Sequence, residues 1–332
     1  MSRFFAAVKK TTEDLLLKLR GYGFEIDREL GVVYHIHSYL VDADFKEKIE
    51  TYLIHDEKTG LMIFYSNYKK EDEIPKIKDF FNNDWKSFQL FLRPPVMEEI
   101  KDAFINKYEN LEITNFTAKY SSTIGKESYI RPLYDRTIEY SGEDGKETLE
   151  EMKYYYGVSP TMIHVKIPKD ISFRIKNEGI FTFYKGEVGS IKILFELMEE
   201  AINKSIQFLV AFKQISFKML PVETETKSFD VPVATPALIT LKNKLSYSEI
   251  DKFEKGCSKI GTIINSCAEE GSLFYSADII TDQGENFRIK ANEEQIKFFP
   301  RNENCHFNTF MKFYKYIVDT FDFSAEFEML RK

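Results

Sequence analysis

The chain has 332 residues, of which 43% are hydrophobic, and its formal net charge is -7 at pH 7. A hydrophobic share of this size can bury a substantial core, which excludes a disordered chain. The acidic surface as a whole repels nucleic acid phosphates, which excludes binding by bulk charge and leaves a local basic patch as the route to such contacts.

The N-terminal residues do not predict a signal peptide, because charged residues at positions 9–14 interrupt the apolar run early. No window reaches the roughly 18 to 20 apolar residues of a membrane span. Three widely spaced cysteines, Cys257, Cys267 and Cys305, favour neither a disulfide framework nor a structural zinc site. We therefore expect a cytoplasmic protein without a membrane partner.

The first part of the chain predicts a helix followed by antiparallel strands. Thr11 or Thr12 can cap the helix, with acidic residues in its first turn. A strand is expected at residues 31–41. Residues 50–55 and 61–66 flank a loop of turn-forming composition and therefore predict an antiparallel hairpin.

A pair of prolines introduces the next predicted elements. Pro95 can occupy the first turn of a helix at residues 96–108, where a missing amide donor costs nothing. Strands are expected on either side of this helix, at residues 85–93 and 111–120. Further along, the sequence predicts strands at residues 136–140, 162–167 and 171–175 and a helix at residues 147–156.

A domain boundary is predicted in residues 121–135, the least patterned part of the chain. We expect an N-terminal α+β domain of residues 1–125 and a C-terminal α+β domain of residues 126–332. No linker rich in glycine, serine or proline marks the boundary. A single continuous domain therefore fits the sequence nearly as well.

The most apolar segment, residues 190–213, predicts a long core helix. Apolar or small residues recur every three or four positions in it, and the polar stripe is narrow. A glycine-bounded turn connects this helix to a predicted strand at residues 180–184. Because helices and hairpins alternate without regular βα spacing, the predicted class is α+β. We expect antiparallel or mixed sheets with hairpins, packed on several amphipathic helices around this one long core helix.

The C-terminal part predicts a helix, a hairpin and a final helix. Ser246 can cap a helix at residues 247–267, with Glu249 as the capping-box partner three positions on. The remaining elements are a hairpin of residues 273–280 and 285–290 and a helix at residues 308–320.

Histidines raise the question of a metal site. His35 and His37 are two positions apart on a predicted strand, so their side chains share one face, a spacing that metal sites use. His55 on the following hairpin could join them. However, no second ligand motif appears, and a strand face accommodates histidines at little cost. We assign no metal ligand from this pattern.

Two phosphodiesterase patterns are also incomplete. Restriction-type nucleases need an acidic residue near a Glu-x-Lys sequence, which residues 225–227 supply in part. Asp278 and Glu285 could instead hold a metal ion with Lys290 nearby. Such short matches arise by chance in a chain with 30% charged residues. Separately, the sequence His-x-Lys at residues 164–166 approaches the motif of phospholipase D-type enzymes, but too few residues precede the following aspartate.

A basic and aromatic cluster is the strongest candidate binding site. Its members are Lys119, Lys126, Tyr129, Arg131, Tyr134, Arg136, Arg174 and Lys176. Arginine and lysine suit phosphate contacts, and interleaved tyrosines suit base stacking or a protein interface. The cluster therefore predicts binding of nucleic acid or of a protein partner.

The sequence as a whole favours a non-enzymatic interaction protein, with no catalytic residue and no cofactor assigned. We expect it to contact nucleic acid or a protein partner, as a subunit of a prokaryotic or phage-defence assembly, and the many aromatic residues allow a homo-oligomer. The alternative is a divalent-metal-dependent nuclease or phosphodiesterase with a degenerate motif.

Overall fold

The computed structural model describes residues 2–8, 11–42, 45–57, 61–66, 76–83, 87, 89–108, 110–120, 128–130, 136–167, 171–186, 196, 203, 217–223, 227–269, 274–305 and 307–330. The chain forms two compact units, Met1–Leu209 and Val210–Lys332. Among the described residues, no helix is both long enough and apolar enough to cross a membrane.

The first unit is built on one antiparallel sheet. Its strands are β1 (Ser2–Val8), β2 (Glu25–Leu30), β3 (Val33–Asp42), β4 (Phe45–Asp56), β5 (Leu61–Ser66), β6 (Glu112–Tyr120), β7 (Thr137–Ser141), β8 (Val158–Ile167), β9 (Ile171–Lys176) and β10 (Ile180–Gly186). The sheet order is β2-β3-β4-β5-β1-β10-β9-β8-β6-β7. The helices described in this unit are α1 (Thr12–Gly21), α2 (Ile77–Asn83), α3 (Pro94–Lys107) and α4 (Gly145–Tyr156).

Alternation along each strand separates a buried face from a polar one, and helices cover the buried face. In the β2–β5 half, Phe64 is fully buried and its ring lies 6.3 Å from that of Phe80 on α2. In the β6–β10 half, Phe173 is fully buried and its ring lies 5.9 Å from that of Phe104 on α3. Each half therefore has its own apolar core between sheet and helices.

The two cores lie on opposite faces of the same sheet. Tyr65 of β5 and Phe181 of β10 both pair with Phe4 of β1, so they share one face. Phe181 belongs to the core under α3, whereas Phe64, the neighbour of Tyr65, belongs to the core under α2. Helices α1 and α2 therefore cover one face of β2–β5, and α3 and α4 cover the other face of β6–β10.

The second unit contains two antiparallel sheets. Its strands are β11 (Phe217–Glu223), β12 (Ser228–Ala234), β13 (Ala237–Thr240), β14 (Thr262–Glu269), β15 (Phe274–Ile280), β16 (Asn286–Ala291), β17 (Gln295–Pro300) and β18 (Glu326–Met329). Strands β11 and β12 form a hairpin, and the others form a sheet in the order β14-β15-β16-β17-β13-β18. Its helices in the described residues are α5 (Ile250–Ile260) and α6 (Phe307–Thr320). Aromatic contacts pack both helices on the larger sheet. The ring centres of Phe253 and Tyr275 are 5.4 Å apart, and so are those of Phe310 and Phe298.

The two units share one internal topology. In each, a first strand and a helix precede a four-stranded antiparallel meander and a second helix, β1-α1-β2-β3-β4-β5-α2 in one and β13-α5-β14-β15-β16-β17-α6 in the other. In each, the first strand lies beside the last strand of the meander, in the orders β2-β3-β4-β5-β1 and β14-β15-β16-β17-β13. The fold therefore repeats a β-α-β4-α module without a fixed sequence period.

The predicted class, α+β with antiparallel or mixed sheets packed on amphipathic helices around one long core helix, is wrong. Eighteen strands dominate the described residues, and the helices among them are at most 14 residues long. The protein is therefore mostly antiparallel β, because the alternating strands supply both cores and the short helices cover them. The predicted core helix at residues 190–213 lies outside the described residues except for Glu196 and Asn203, which are helical.

Some of the other local predictions are confirmed and others are wrong. The hairpin of β4 and β5, the helix after Pro95 and the capping box of Ser246 with Glu249 are confirmed. The predicted helix at residues 247–267 is wrong beyond Ile260, because Gly261 ends it and the β-branched residues that follow begin β14. The predicted strand at residues 85–93 is wrong where it is described, since residues 89–93 form an irregular segment that precedes α3.

Candidate functional site

The candidate site lies on the face of β6, β8, β9 and β10 that points away from α3. Along β8 and β9, buried Val165 and Phe173 alternate with more polar residues, so the polar side chains collect on the other face. We call this surface the basic sheet face. Its members are Glu112, Asn115, Lys119, Glu139, His164, Lys166, Ser172, Arg174, Lys176 and Tyr184.

His164 is at the centre of the basic sheet face. Its Nε2 atom lies 2.8 Å from the Ser172 hydroxyl, and its Nδ1 atom lies 3.2 Å from the Asn115 side-chain oxygen. Burial, and secondarily the positive charge of Arg174, lowers the pKa of His164 below its ordinary value. The imidazole is therefore neutral at physiological pH, with one nitrogen donating and the other accepting.

An aromatic and cationic stack adjoins this histidine. The Tyr184 ring lies 4.8 Å from the His164 ring, and the Arg174 guanidinium lies 5.6 Å from the Tyr184 ring centre. Tyr184 is 39% exposed. The site therefore presents a ring beside a cation, which is an arrangement that supports stacking and cation–π contacts.

The face carries an excess of positive charge although the chain is acidic. Among the residues of this face whose side chains are described, the basic ones are Lys119, Lys166, Arg174 and Lys176, and the carboxylates are Glu112 and Glu139. Lys166 forms an ion pair with Glu112 at 3.0 Å, and 49% of the lysine side chain is exposed. The local surface can therefore attract phosphates, which the average surface charge would repel.

Ser172, His164 and Asn115 also have the connectivity of a nucleophile, a base and an orienting group. A serine nucleophile needs hydrogen-bond donors at the oxyanion that forms during acyl transfer. Strand β9 pairs with β8 on one side and β10 on the other, so the ladders engage its backbone N–H groups. The structure therefore shows these three side chains as a hydrogen-bonded polar network on the sheet face.

The structure brings together part of the predicted basic and aromatic cluster. Lys119, Arg174 and Lys176 lie on the basic sheet face. Arg136 lies elsewhere, since it donates a hydrogen bond of 3.1 Å to the Ile130 carbonyl and its guanidinium lies 5.3 Å from the Tyr156 ring. Tyr129 is 76% exposed and contacts the ring of Tyr155 on α4. The remaining predicted members, Lys126, Arg131 and Tyr134, lie outside the described residues.

Asn115, His164, Ser172 and Tyr184 were absent from the predicted cluster. The signal for two of them was present, because the predicted strands at residues 162–167 and 171–175 are separated by a short loop. Pairing of these strands places His164 opposite Arg174 and Lys166 opposite Ser172. Tyr184 gave no such signal, since a register shift in β10 between Phe183 and Lys185 sets its position.

Of the three histidines considered as metal ligands, His55 does not join the other two. His35 pairs with Tyr52 of β4, and His55 lies three positions further along that strand, so the two histidines are on opposite faces. His55 is 1% exposed and its Nδ1 atom lies 2.8 Å from the Thr12 hydroxyl. His35 and His37 share one face of β3 and both lie near Asp27, whose carboxylate is 3.7 Å from the His35 Nδ1 atom and 2.8 Å from the His37 Nδ1 atom.

The described residues of the nuclease alternative make other contacts. Asp278 forms an ion pair with Arg288, and Glu285 is 7% exposed and accepts hydrogen bonds from Thr281 and Thr309. Lys290 lies 6.0 Å from the ring of Phe299 on β17. No group of three or more His, Cys, Asp or Glu residues in the described parts of the chain could hold a metal ion. Positions 225 and 226 and Asp170 lie outside those parts.

Most of the basic sheet face lies within a region that matches a known family model. Residues 95–178 match the model of the AF_0896_M family middle domain. Strands β6 to β9, which carry most of the basic sheet face, fall inside this match. The chain is also similar to a protein of Archaeoglobus fulgidus described as uncharacterized, at 23% identity over 332 residues, covering 95% of this chain and 86% of the relative.

Proposed function

We propose that this protein binds single-stranded nucleic acid through the basic sheet face and catalyses no reaction there. The observation that carries the proposal is the stack of Arg174, Tyr184 and His164 beside Lys166 and Lys176 on one sheet face. Aromatic rings on an open sheet stack with unpaired bases, while neighbouring cations contact the phosphates.

The chemistry of the face favours nucleic acid over a protein partner. The centres of protein interfaces are depleted in charged residues and enriched in apolar ones. Here four basic side chains surround a neutral histidine and a tyrosine, and the large apolar residues of β8 and β9 lie on the opposite face. A polyanion interacts favourably with basic side chains of this kind, whereas an apolar protein surface would remove their water without offering a charged group.

A single strand fits this face better than a duplex. Bases in a duplex are stacked on one another, so their rings are not available to Tyr184. The chain also lacks a large positive field, since its formal net charge is -7. Affinity for a duplex through phosphates alone would therefore be weak, and stacking would supply the preference for unpaired bases.

The setting of this activity, in our proposal, is a cytoplasmic nucleic-acid-handling assembly of a prokaryote. The three cysteines are free, which suits a reducing compartment. The similarity to an archaeal protein supports a prokaryotic origin. Both observations concern the cellular setting and leave the binding test unchanged.

The test is a titration of fluorescein-labelled poly(dT) followed by fluorescence anisotropy at several salt concentrations. Lys166→Gln combined with Lys176→Gln should weaken binding and lower the slope of log affinity against log salt by roughly 1.4, since two phosphate contacts are lost. Lys146→Gln on α4 is the control for a change of charge on an exposed helix. An unchanged slope in the double variant, or equal affinity for single-stranded and duplex DNA, would overturn the proposal.

A further inference from the structure

A pair of like charges distinguishes the larger sheet of the second unit. Lys290 of β16 and Lys297 of β17 are directly opposite each other in the antiparallel register. Side chains that oppose each other across a strand pair point to the same face and lie close together. Two ammonium groups in these positions repel each other, so the folded protein tolerates an unfavourable contact here.

Neighbouring carboxylates do not relieve this repulsion. In the described chain, neither Lys290 nor Lys297 has an acidic partner at ion-pair distance. The nearby carboxylate of Asp278 is bound by Arg288, with 2.8 Å between the Arg288 Nε and an oxygen of Asp278. The face therefore retains two positive charges that an anion from outside the unit could neutralise.

Residues around the two lysines suit a nucleic acid strand. The Lys290 ammonium lies 6.0 Å from the centre of the Phe299 ring, which is partly exposed. This combination of a ring and a cation on a sheet face is the one found on the basic sheet face of the first unit. The helices α5 and α6 pack on the other side of this sheet, where Tyr275 and Phe298 are buried.

We infer that the face of β15, β16 and β17 with Lys290, Lys297 and Phe299 is a second binding surface for single-stranded nucleic acid. The lysines contact phosphates, and the Phe299 ring offers a stacking surface for a base. The inference rests on the proposed function for the identity of the ligand. Two surfaces on one chain raise the affinity for a long strand when it reaches both.

Cys267 provides a reporter that needs no new cysteine. It pairs with Ser276 of β15, which pairs with Lys290, so all three lie on one face. The spacing of neighbouring strands places Cys267 roughly 10 Å from Lys290. Cys267 is exposed, whereas Cys257 and Cys305 are buried and burial raises their pKa values. Alkylation of the folded protein should therefore modify Cys267 first.

The experiment measures the rate of Cys267 alkylation with and without poly(dT). Poly(dT) should slow alkylation severalfold in the wild-type protein and should lose this effect in the Lys290→Gln, Lys297→Gln double variant. Lys255→Gln with Lys259→Gln on the exposed side of α5 makes the same change of charge and should keep full protection. Melting curves of all variants check that they fold.

Either of two results would overturn the inference. One is that poly(dT) does not slow the alkylation of Cys267 in the wild-type protein, whether or not heparin slows it. The other is protection that persists in the Lys290→Gln, Lys297→Gln variant. Failure of the first-unit proposal is separate, because it appears as unchanged poly(dT) binding when Lys166 and Lys176 are replaced.

Discussion

His164 and Arg174 are directly opposite each other on β8 and β9. A guanidinium in this position, added to the burial of the imidazole, makes protonation of His164 unfavourable in the folded protein. The histidine is consequently a neutral hydrogen-bonding group between Asn115 and Ser172. This relationship links the charge of the basic sheet face to the pH dependence of stability.

The first prediction concerns that pH dependence. The pKa of His164 is lowered from 6.5 in the folded state, so the unfolded chain binds a proton first as the pH falls. The free energy of unfolding should therefore be unaffected well above pH 6.5 and should decrease below it. Urea unfolding at about pH 7.5 and about pH 5.5 measures the loss.

Two variants check the cause. His164→Gln should remove the contribution of His164 to the decrease in unfolding free energy at low pH. Arg174→Met should keep most of that contribution, because burial lowers the pKa of His164 more than Arg174 does. The same decrease between the two pH values in wild type and His164→Gln would contradict the assignment.

The second prediction concerns a buried ion pair between α3 and α4. Lys101 is 4% exposed and lies 2.8 Å from Glu98, and it also contacts Glu150 of α4. Burial alone would lower the pKa of Lys101, but Glu98 and Glu150 more than offset it and the pKa is raised. Lys101→Ala removes a positive partner from the carboxylate of Glu98, which is only 13% exposed. The substitution should therefore lower the free energy of unfolding by about 3 kcal/mol.

Lys107 on the same helix is the matched control. It forms an ion pair with Glu196 but is 54% exposed, so Lys107→Ala should cost at most about 1 kcal/mol. Chemical denaturation of both variants measures the difference. Equal losses would show that the Lys101 pair is not a buried interaction.

The third prediction concerns the opposed lysines of the second unit. Lys297→Gln removes the repulsion with Lys290 and should stabilise the protein by about 0.5 kcal/mol in the absence of ligand. Added salt screens the repulsion, so the gain should shrink at high ionic strength. Thermal unfolding at low and high salt measures both effects, and a destabilised variant would indicate that Lys297 has a favourable contact in the fold.

Local sequence signals identified many elements but did not determine the fold class. The hairpin of β4 and β5 followed from its turn residues, and α3 followed from the prolines at its start. The predicted α+β class was wrong because it gave the apolar periodicity of residues 190–213 more weight than the many short predicted strands. Pairing between distant strands, such as β1 with β10, sets the large sheet, and no local pattern encodes it.

Only part of the candidate site was predictable, because strand pairing decides which side chains share a face. The sequence predicts Arg174 and Lys176 as basic residues on a strand near the cluster, and they do share the basic sheet face. Arg136 was grouped with them by proximity in sequence, yet it packs against Tyr156. The polar face of β9 is the one that α3 does not cover. The helices cover opposite faces in the two halves of the sheet, so the polar face also changes side between them.

The most direct test of the proposed function is the affinity of a Tyr184→Ala variant for poly(dT). Stacking of one base contributes about 1 to 3 kcal/mol, so the dissociation constant should rise about 5- to 150-fold. Tyr154 on α4, which is 67% exposed, provides the control substitution Tyr154→Ala. The account predicts weaker binding for Tyr184→Ala and wild-type binding for Tyr154→Ala. Equal affinity of both variants and the wild-type protein would contradict it.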